Sequence, residues 1–456
     1  DASPHYQGRP RSGRRTSLYS NDSALPQRGE VRCVTASDDG SAKIWSKRLE
    51  GPWTLLKTMG PAAPGVHGHS AGITSVDVSQ RGDVVTGSRD KGLIVWNDGG
   101  EYQISLPEPA NERHGHHDYI NMVAFARNED GESIGGTDAT QELVLSASDD
   151  TTAGLWELQR KPIRAHDHEF RAPFESGDRV AVLKDENAGH SSAVVMASYC
   201  AANDKVLTCS HDRTCMVWSV NPSSILQYAS AYASMTSSTK SMKTTSAQKG
   251  VVVIPRASIN GERTEQHKGP VWSAVWSQDG NDILTASRDC TCKLWDATTS
   301  QCKQTFAMHQ DFCLGALFKP YSRKEILSWS MDGTARIQDV KSGKDIKTLR
   351  EHQGAVWQAS WSKDGRYVLT CSHDMTAKVW DAVASKVYKT FAKHTGIIWQ
   401  ASFSPQLDFV VTCSEDKTAR AWAMHGRESD QVLGEKKDRH TAAVTCAAWF
   451  DMMETV

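Results

Sequence analysis

The sequence predicts an all-β fold built from a repeated unit of about 42 residues. Three observations support this prediction. The pattern Ser-x-Asp-x5-Trp occurs seven times, a histidine stands about 20 residues before the serine in most copies, and the turn aspartates from Asp289 to Asp416 are spaced by 43, 42 and 42 residues. One such pattern is weak support for a repeat, but seven copies in register are strong support.

Each copy of the repeat predicts a strand, a tight turn and a second strand. The segments Leu284–Trp295, Leu369–Trp380 and Val411–Trp422 alternate apolar and polar residues with period two. An aspartate stands at each turn, where its side chain can bond the local backbone. One more strand, such as Val356–Trp361, lies between the histidine and the serine. The repeat is therefore a unit of neighbouring strands joined by tight turns.

Eight copies can be aligned, and each set below shares one position in the repeat. The histidines are His69, His116, His190, His267, His309, His352, His394 and His440. The serines are Ser37, Ser88, Ser148, Ser210, Ser287, Ser330, Ser372 and Ser414. The aspartates are Asp39, Asp90, Asp150, Asp212, Asp289, Asp332, Asp374 and Asp416. The tryptophans are Trp45, Trp96, Trp156, Trp218, Trp295, Trp380 and Trp422, with Gln338 in place of tryptophan in the sixth copy.

This pattern resembles the WD-repeat family over roughly residues 31–456. The resemblance implies a β-propeller of eight four-stranded blades. The first blade is split, because Ser37, Asp39 and Trp45 lie near the N-terminus and the matching His440 near the C-terminus. The resemblance also implies a structural tetrad in each blade, in which the serine links the imidazole to the indole N–H. Since a satisfied buried network rigidifies a fold, we interpret these Ser/His/Asp sets as structural and not as hydrolytic triads.

In the family, two positions of the repeat open toward one mouth of the central channel. The residue five after the histidine is Thr74, Asn121, Val195, Trp272, Leu314, Trp357, Trp399 or Thr445. The residue before the turn aspartate is Asp38, Arg89, Asp149, His211, Arg288, Met331, His373 or Glu415. Large apolar residues in blades five to eight predict a peptide-binding patch; the alternative is that the indoles fill the channel. The residues expected to bind a partner are Trp272, Leu314, Trp357, Trp399, Arg89, Arg288, Met331, His211 and His373.

The composition gives no sign of a nucleic-acid or membrane partner. The formal net charge is −2, and no apolar run approaches the roughly 20 residues that a membrane-spanning helix needs. We expect no cofactor and no metal. Cys290-x-Cys292 is at most half of a metal site, and His166 and His168 lack partners at a suitable spacing.

The eleven cysteines indicate the redox environment. Cys209, Cys371 and Cys413 each precede a repeat serine, in a slot that other copies fill with alanine or glycine. Buried cysteine acts there as a small hydrophobic residue. The odd count and this exchange favour reduced thiols, so we expect an intracellular protein located in the cytoplasm.

The segments outside the repeats are polar. Residues 1–30 carry five arginines and predict a disordered basic tail; the alternative is a docking segment for an acidic partner. Residues 31–456 form the propeller, with a flexible insertion at about 222–250 that is rich in serine and threonine. Neither segment changes the repeat pattern.

The sequence favours a non-enzymatic scaffold or adaptor in a multiprotein complex, which binds extended peptide segments of other proteins at the mouth. The alternative is a substrate receptor of a ubiquitin ligase. An enzyme is not favoured, because the sequence lacks a Walker loop, a G-x-S-x-G elbow and an H-E-x-x-H motif.

Overall fold

A computed structural model describes residues 30–48, 51–60, 67–107, 115–127, 141–160, 174–183, 189–219, 256–258, 266–425, 431–434 and 436–450. Over these residues the chain forms eight antiparallel four-stranded sheets and one short 3-10 helix, Lys436–Asp438. The predicted tail (1–30, apart from Glu30), the predicted insertion (222–250) and the pair His166/His168 lie outside the described residues.

The first four sheets contain the following strands. Blade one has β1 (Val31–Ser37), β2 (Ala42–Lys47), β3 (Thr54–Met59) and β32 (Val444–Trp449). Blade two has β4 (Ile73–Val78), β5 (Val84–Ser88), β6 (Leu93–Trp96) and β7 (Tyr102–Leu106). Blade three has β8 (Ile120–Phe125), β9 (Gln141–Ser148), β10 (Ala153–Arg160) and β11 (Phe174–Leu183). Blade four has β12 (Val194–Cys200), β13 (Lys205–Ser210), β14 (Cys215–Ser219) and β15 (Arg256–Ser258).

The last four sheets follow in the same order along the chain. Blade five has β16 (Val271–Trp276), β17 (Asp282–Ser287), β18 (Cys292–Asp296) and β19 (Cys302–Phe306). Blade six has β20 (Cys313–Phe318), β21 (Glu325–Ser330), β22 (Ala335–Asp339) and β23 (Asp345–Leu349). Blade seven has β24 (Val356–Trp361), β25 (Tyr367–Ser372), β26 (Ala377–Asp381) and β27 (Lys386–Phe391). Blade eight has β28 (Ile398–Phe403), β29 (Phe409–Ser414), β30 (Ala419–Ala423) and β31 (Gln431–Val432).

The aspartate turns connect the second and third strands of each blade, counted outward from the innermost strand. In blade seven the Asp374 carboxylate accepts the backbone N–H of Thr376, and the residue between them, Met375, has a left-handed backbone with φ of 64°. The residue after the turn aspartate has a positive φ in all eight blades. A left-handed backbone is unfavourable for residues other than glycine. The hydrogen bond to the aspartate carboxylate therefore stabilises a turn that the backbone alone disfavours.

The innermost strands of the blades, of which the one in blade one is the C-terminal strand β32, form a closed ring. β4, β8, β12, β16, β20, β24, β28 and β32 each contact the next strand of this series, and β32 contacts β4. β32 also pairs antiparallel with β1, with Cys33 opposite Trp449. The eight blades and the split first blade are therefore confirmed. The N-terminal end supplies three strands of that blade, and the third of them, β3 (TLLKTM), carries no repeat motif.

The hydrophobic core lies between neighbouring blades. One cluster joins Leu327 and Trp329 of blade six to Val356 and Trp380 of blade seven, and similar clusters recur around the ring. All eleven cysteines are free thiols, and all except Cys290 and Cys302 are buried. Burial of apolar surface against both neighbours is what holds a repeat array together.

Candidate functional site

A hydrogen-bonded chain runs through the middle of each blade. In blade seven the Trp380 indole donates to the Thr370 hydroxyl (2.8 Å), which lies 2.8 Å from Nε2 of His352, while Nδ1 of His352 lies 2.8 Å from Asp374. In the other blades the hydroxyl lies 2.7–3.0 Å from the imidazole Nε2. The structure thus brings the predicted histidine and aspartate of each blade together, with the tryptophan in the seven blades that have one.

The predicted role of the serine is wrong. The hydroxyl that joins imidazole to indole belongs to the residue two positions earlier. It faces the same side of the strand as the serine and lies diagonally across from the tryptophan, as Thr370, which pairs with Lys378, does from Trp380, which pairs with Val368. These linking hydroxyls are Thr35, Thr86, Ser146, Thr208, Thr285, Thr370 and Thr412. The signal was present in the sequence, since a threonine or serine fills this slot in all eight copies.

The repeat serines bind the turn to the loop that follows the histidine. Ser372 Oγ donates to the carbonyl of Gly354 (3.1 Å) and accepts the backbone N–H of Asp374 (3.1 Å). The same pair of bonds recurs from Ser37 in blade one to Ser414 in blade eight. The serines therefore hold the turn in place and do not touch the imidazole.

Blade six keeps the chain despite its substitution. Gln338 is fully buried, accepts a hydrogen bond from Ser328 Oγ (3.1 Å) and donates to Asp345 (3.0 Å). His309 Nε2 lies 2.9 Å from the same Ser328 hydroxyl. An amide thus replaces the indole with its polar atoms paired, although the buried ring is lost.

The networks strongly favour ionised aspartates. Burial alone would raise the pKa of Asp374, but bonds from His352, Thr376 and the Gln353 backbone hold that pKa well below its usual range. The pKa of His267 and the pKa of His440 are lowered by burial, which the neighbouring aspartates oppose. The imidazoles and carboxylates therefore have a structural role.

The innermost strand of every blade contains a β-bulge at one position. The strand register shifts around Thr74, Asn121, Val195, Trp272, Leu314, Trp357, Trp399 and Thr445. These bulge positions are the residues five after each histidine. A bulge redirects a side chain, and bulges are frequent beside functional sites.

The bulge positions divide the ring into two halves. In the first three blades the side chain bonds the next blade: Thr445 reaches the carbonyl of Ile73 (2.8 Å), Thr74 that of Ile120, and Asn121 that of Val194 (3.0 Å). In blades four to eight the side chain is apolar. We call Trp272, Leu314, Trp357 and Trp399, in blades five to eight, the apolar arc.

Aromatic contacts order the apolar arc. The rings of Trp357 and Trp399 are 5.0 Å apart, and the Trp272 ring meets His211 edge to face at 4.7 Å. Trp272 remains 36% exposed. Nε1 of Trp357 and Nε2 of His211 are buried without a hydrogen-bond partner within the described structure.

The residues before the turn aspartates surround the bulge positions on the same face. The backbone N–H of each one bonds the carbonyl two residues before the bulge, as Arg288 does with Pro270 (2.9 Å). We call these eight residues the rim positions. Arg89 pairs with Asp38 at 3.1 Å, whereas the Arg288 guanidinium lies 4.4 Å above the ring of Phe312. Sequence reasoning missed Phe312, because the residue that its ring contacts lies in another blade.

Nothing in the described residues suggests another type of site. No group of three His, Cys, Asp or Glu side chains there has a geometry that could hold a metal ion. No helix in the same residues has the length and apolar character needed to cross a bilayer. Cys292 is buried in the core, which accounts for one member of the cysteine pair.

Comparison with known proteins places these features in a family context. Five segments, residues 63–97, 179–219, 262–296, 343–381 and 385–423, match the model of the WD40 family, described as WD domain, G-beta repeat. Apoptotic protease-activating factor 1 of Danio rerio is 25% identical over 56% of this chain. Nuclear distribution protein PAC1 of Arthroderma otae is 24% identical over 72% of this chain. The chain spans 18% and 61% of the length of those two relatives.

A solved structure supports the fold. The WD40 β-propeller domain of Doa1 aligns with a TM-score of 0.50 at 19% identity, over 79% of this chain and 95% of that domain. At this level of identity the likeness concerns the fold alone.

Proposed function

Because the chain is a WD-repeat protein with an eight-bladed β-propeller fold, we propose that it is a non-enzymatic scaffold or adaptor. It binds an extended peptide segment of another protein at the mouth of its channel, inside a multiprotein complex. The observation that carries this proposal is the division of the bulge positions. Three polar ones bond the next blade, whereas the apolar arc keeps large side chains on one side of the mouth.

The composition of the apolar arc suits a peptide. Tryptophans near the centre of an interface often contribute most of the binding energy, because they bury a large area and lose little entropy. Trp272 is partly exposed, and Trp357 and Trp399 form a contacting pair. A peptide side chain that packs against these rings would displace water from them and gain aromatic contact.

A catalytic role for the repeated Ser/His/Asp sets is not supported. A nucleophilic serine needs its hydroxyl against the base, but the repeat serines bond backbone groups. The hydroxyls that do touch the imidazoles, such as Thr370, are fully buried and accept an indole N–H. Both arrangements hold the blade together and leave no hydroxyl for a substrate.

Affinity capture with quantitative mass spectrometry tests the proposal. The variant Trp357→Ala/Trp399→Ala should lose the partners of the unaltered chain while its melting temperature stays within a few degrees. Tyr321→Ala is the matched control, because Tyr321 is a 73% exposed aromatic residue in the β20–β21 turn, away from the apolar arc. A large fall in melting temperature with partners retained would mean that the indoles only fill the channel.

The ubiquitin-ligase alternative has less support. A reader of phosphorylated motifs needs a cluster of free arginines, yet Arg89 is already paired with Asp38. Ligase subunits among the captured proteins would favour this alternative.

A further inference from the structure

The charged rim positions fall into two groups. The carboxylates Asp38, Asp149 and Glu415 belong to blades one, three and eight, and two of them are engaged within the protein. Asp38 pairs with Arg89 (3.1 Å), and Asp149 accepts a hydrogen bond from Asn121 (2.7 Å). The rim carboxylates of blades one and three are therefore already bonded within the protein.

The rim beside Trp272, Leu314 and Trp357 carries no carboxylate, whereas the rim residue of blade eight, which supplies Trp399, is Glu415. In blades four to seven the rim positions are His211, Arg288, Met331 and His373, with no carboxylate among them. Arg288 is exposed, and no carboxylate of the described residues lies within ion-pair distance of its guanidinium. Arg89 and Arg288 thus occupy the same position of the repeat, one neutralised and the other not.

The Phe312 ring holds the Arg288 guanidinium in place. The cation lies 4.4 Å above the ring centroid, within the range of a cation–π contact. Phe312 is two residues before Leu314, so the guanidinium stands at the junction of blades five and six, beside the apolar arc. A guanidinium stacked in this way still presents its N–H edge to a planar anion.

An apolar surface next to a cation strengthens its attraction for an anion. A bound peptide would exclude water from the apolar arc, and the lower local dielectric would increase the energy of an ion pair at its border. Charge-assisted bidentate bonds to carboxylate are among the strongest that arginine makes.

From this charge pattern we infer that the bound segment carries an aspartate or glutamate side chain that pairs with Arg288, adjacent to the bulky apolar side chains that contact the apolar arc. This inference rests on the proposed function and adds the chemical class of the ligand. A phosphate would share the same chemistry, and peptides with and without a phosphate distinguish the two.

A phage-displayed library of random twelve-residue peptides provides the probe, since displayed peptides carry carboxylates and no phosphate. Selection is carried out on the unaltered full chain and on three variants, Arg288→Gln, Arg89→Gln and Trp357→Ala/Trp399→Ala. Each variant is first shown to have a melting temperature close to that of the unaltered chain. Peptides selected on the unaltered chain should be enriched in both acidic and large apolar residues. Arg288→Gln should lose the acidic enrichment and keep the apolar one, whereas Arg89→Gln should keep both.

A selected peptide then gives the affinity effect. Replacing its acidic residue by the amide should weaken binding to the unaltered chain by about tenfold or more, as expected for loss of a bond between charged groups. The same replacement should have little effect on binding to Arg288→Gln. If the replacement weakens both equally, Arg288 is not the partner of the acidic residue.

The outcomes distinguish this inference from the proposed function. Peptides that require Trp357 and Trp399 but show no acidic preference would overturn the inference alone. If only the phosphorylated form of a serine-containing peptide bound in an Arg288-dependent way, the ligand would be a phosphopeptide and the carboxylate inference would be wrong. Peptides that bind equally well without Trp357 and Trp399, or a library that yields no peptide, would contradict both.

Discussion

The indole nitrogen of Trp329 donates a hydrogen bond to the backbone carbonyl of Trp357 over 3.1 Å, and so joins blade six to the apolar arc in blade seven. The slot of Trp329 holds alanine, glycine or cysteine in every other copy. Its cross-strand partner is Gly315, where an added Cβ would lie 2.0 Å from the indole ring. Blade six has therefore exchanged large and small residues across one strand pair, and the large one reaches the neighbouring bulge.

Trp329→Phe should show what this bond contributes. The ring is largely kept and the N–H donor is removed, so we expect the free energy of unfolding to fall by about 1 kcal/mol, the usual net value of one hydrogen bond. Peptide binding at the apolar arc should weaken as well, because the Trp357 bulge loses a fixed contact. Urea unfolding and titration with a selected peptide measure the two effects.

The control for this variant lies in the same cluster. Nε1 of Trp361 is buried without a hydrogen-bond partner in the described structure. Trp361→Phe therefore removes an indole N–H that makes no bond, and it should cost less stability and leave peptide binding unchanged. Equal effects of the two variants would show that ring volume, and not the Trp329 bond, matters.

Repetition made the architecture predictable from the sequence, whereas the side-chain contacts between blades could not be predicted. Eight aligned copies of a local pattern, seven of them with the tryptophan, indicated the number of blades, and the position of His440 relative to Ser37 indicated the split blade. The bulge positions were identified by their spacing from the histidines, but the bulge itself depends on strand pairing, which a single strand does not reveal. The Arg288–Phe312 contact joins two blades, and no periodicity encodes it.

The linking threonines provide a second test of the tetrad. Thr370→Val should lower the free energy of unfolding by about 2–5 kcal/mol, because the buried Trp380 N–H and His352 Nε2 both lose their partner. Thr370→Ser keeps the hydroxyl and should cost about 1 kcal/mol, the value of one buried methyl group. Thermal or urea unfolding of the two variants gives the comparison.

The repeat serine of the same blade serves as the control. Ser372→Ala removes bonds to the Gly354 carbonyl and the Asp374 N–H but leaves the imidazole chain intact. Its cost should therefore be smaller than that of Thr370→Val. The reverse order would restore the serine as the link between imidazole and indole.

Stability should fall in two stages as the pH decreases. Burial lowers the folded pKa of His267 and the folded pKa of His440 below the ordinary 6.5, so the unfolded chain binds more protons and stability is lost as the pH passes below about 6.5. The pKa of Asp374 and the pKa of Asp416 are also lowered, so their contribution is present above about 3.8 and is lost below it.

Urea unfolding at intervals from pH 8 to pH 3 checks both stages. His440→Gln removes a group whose neutral form is favoured by folding, so its stability should decline less steeply between pH 6.5 and 5. A stability that is constant over that interval in the unaltered chain would contradict the first stage.

Closure of the ring depends on the contacts that β32 (Val444–Trp449) and the residues just before it make with both neighbouring blades. His440 reaches the hydroxyl of Thr35 (3.0 Å), and the backbone N–H of Thr441 bonds Asp39 (2.7 Å). On its other side, the backbone N–H of Ala447 in β32 donates to the side-chain oxygen of Gln400 (2.6 Å). The strand is thus held by blade one and by blade eight.

Removal of residues 440–456 should open the ring. Val444 is fully buried, so the deletion exposes the apolar residues that pack against it and leaves the backbone of β1 (Val31–Ser37) as an unpaired edge, the kind of edge that pairs with other chains. We expect a lower melting temperature and concentration-dependent association in sedimentation velocity. Deletion of 451–456 alone keeps His440 and β32 in place and is the matched control. If the longer deletion left a monomer as stable as the shorter one, β32 would not be the strand that closes the propeller.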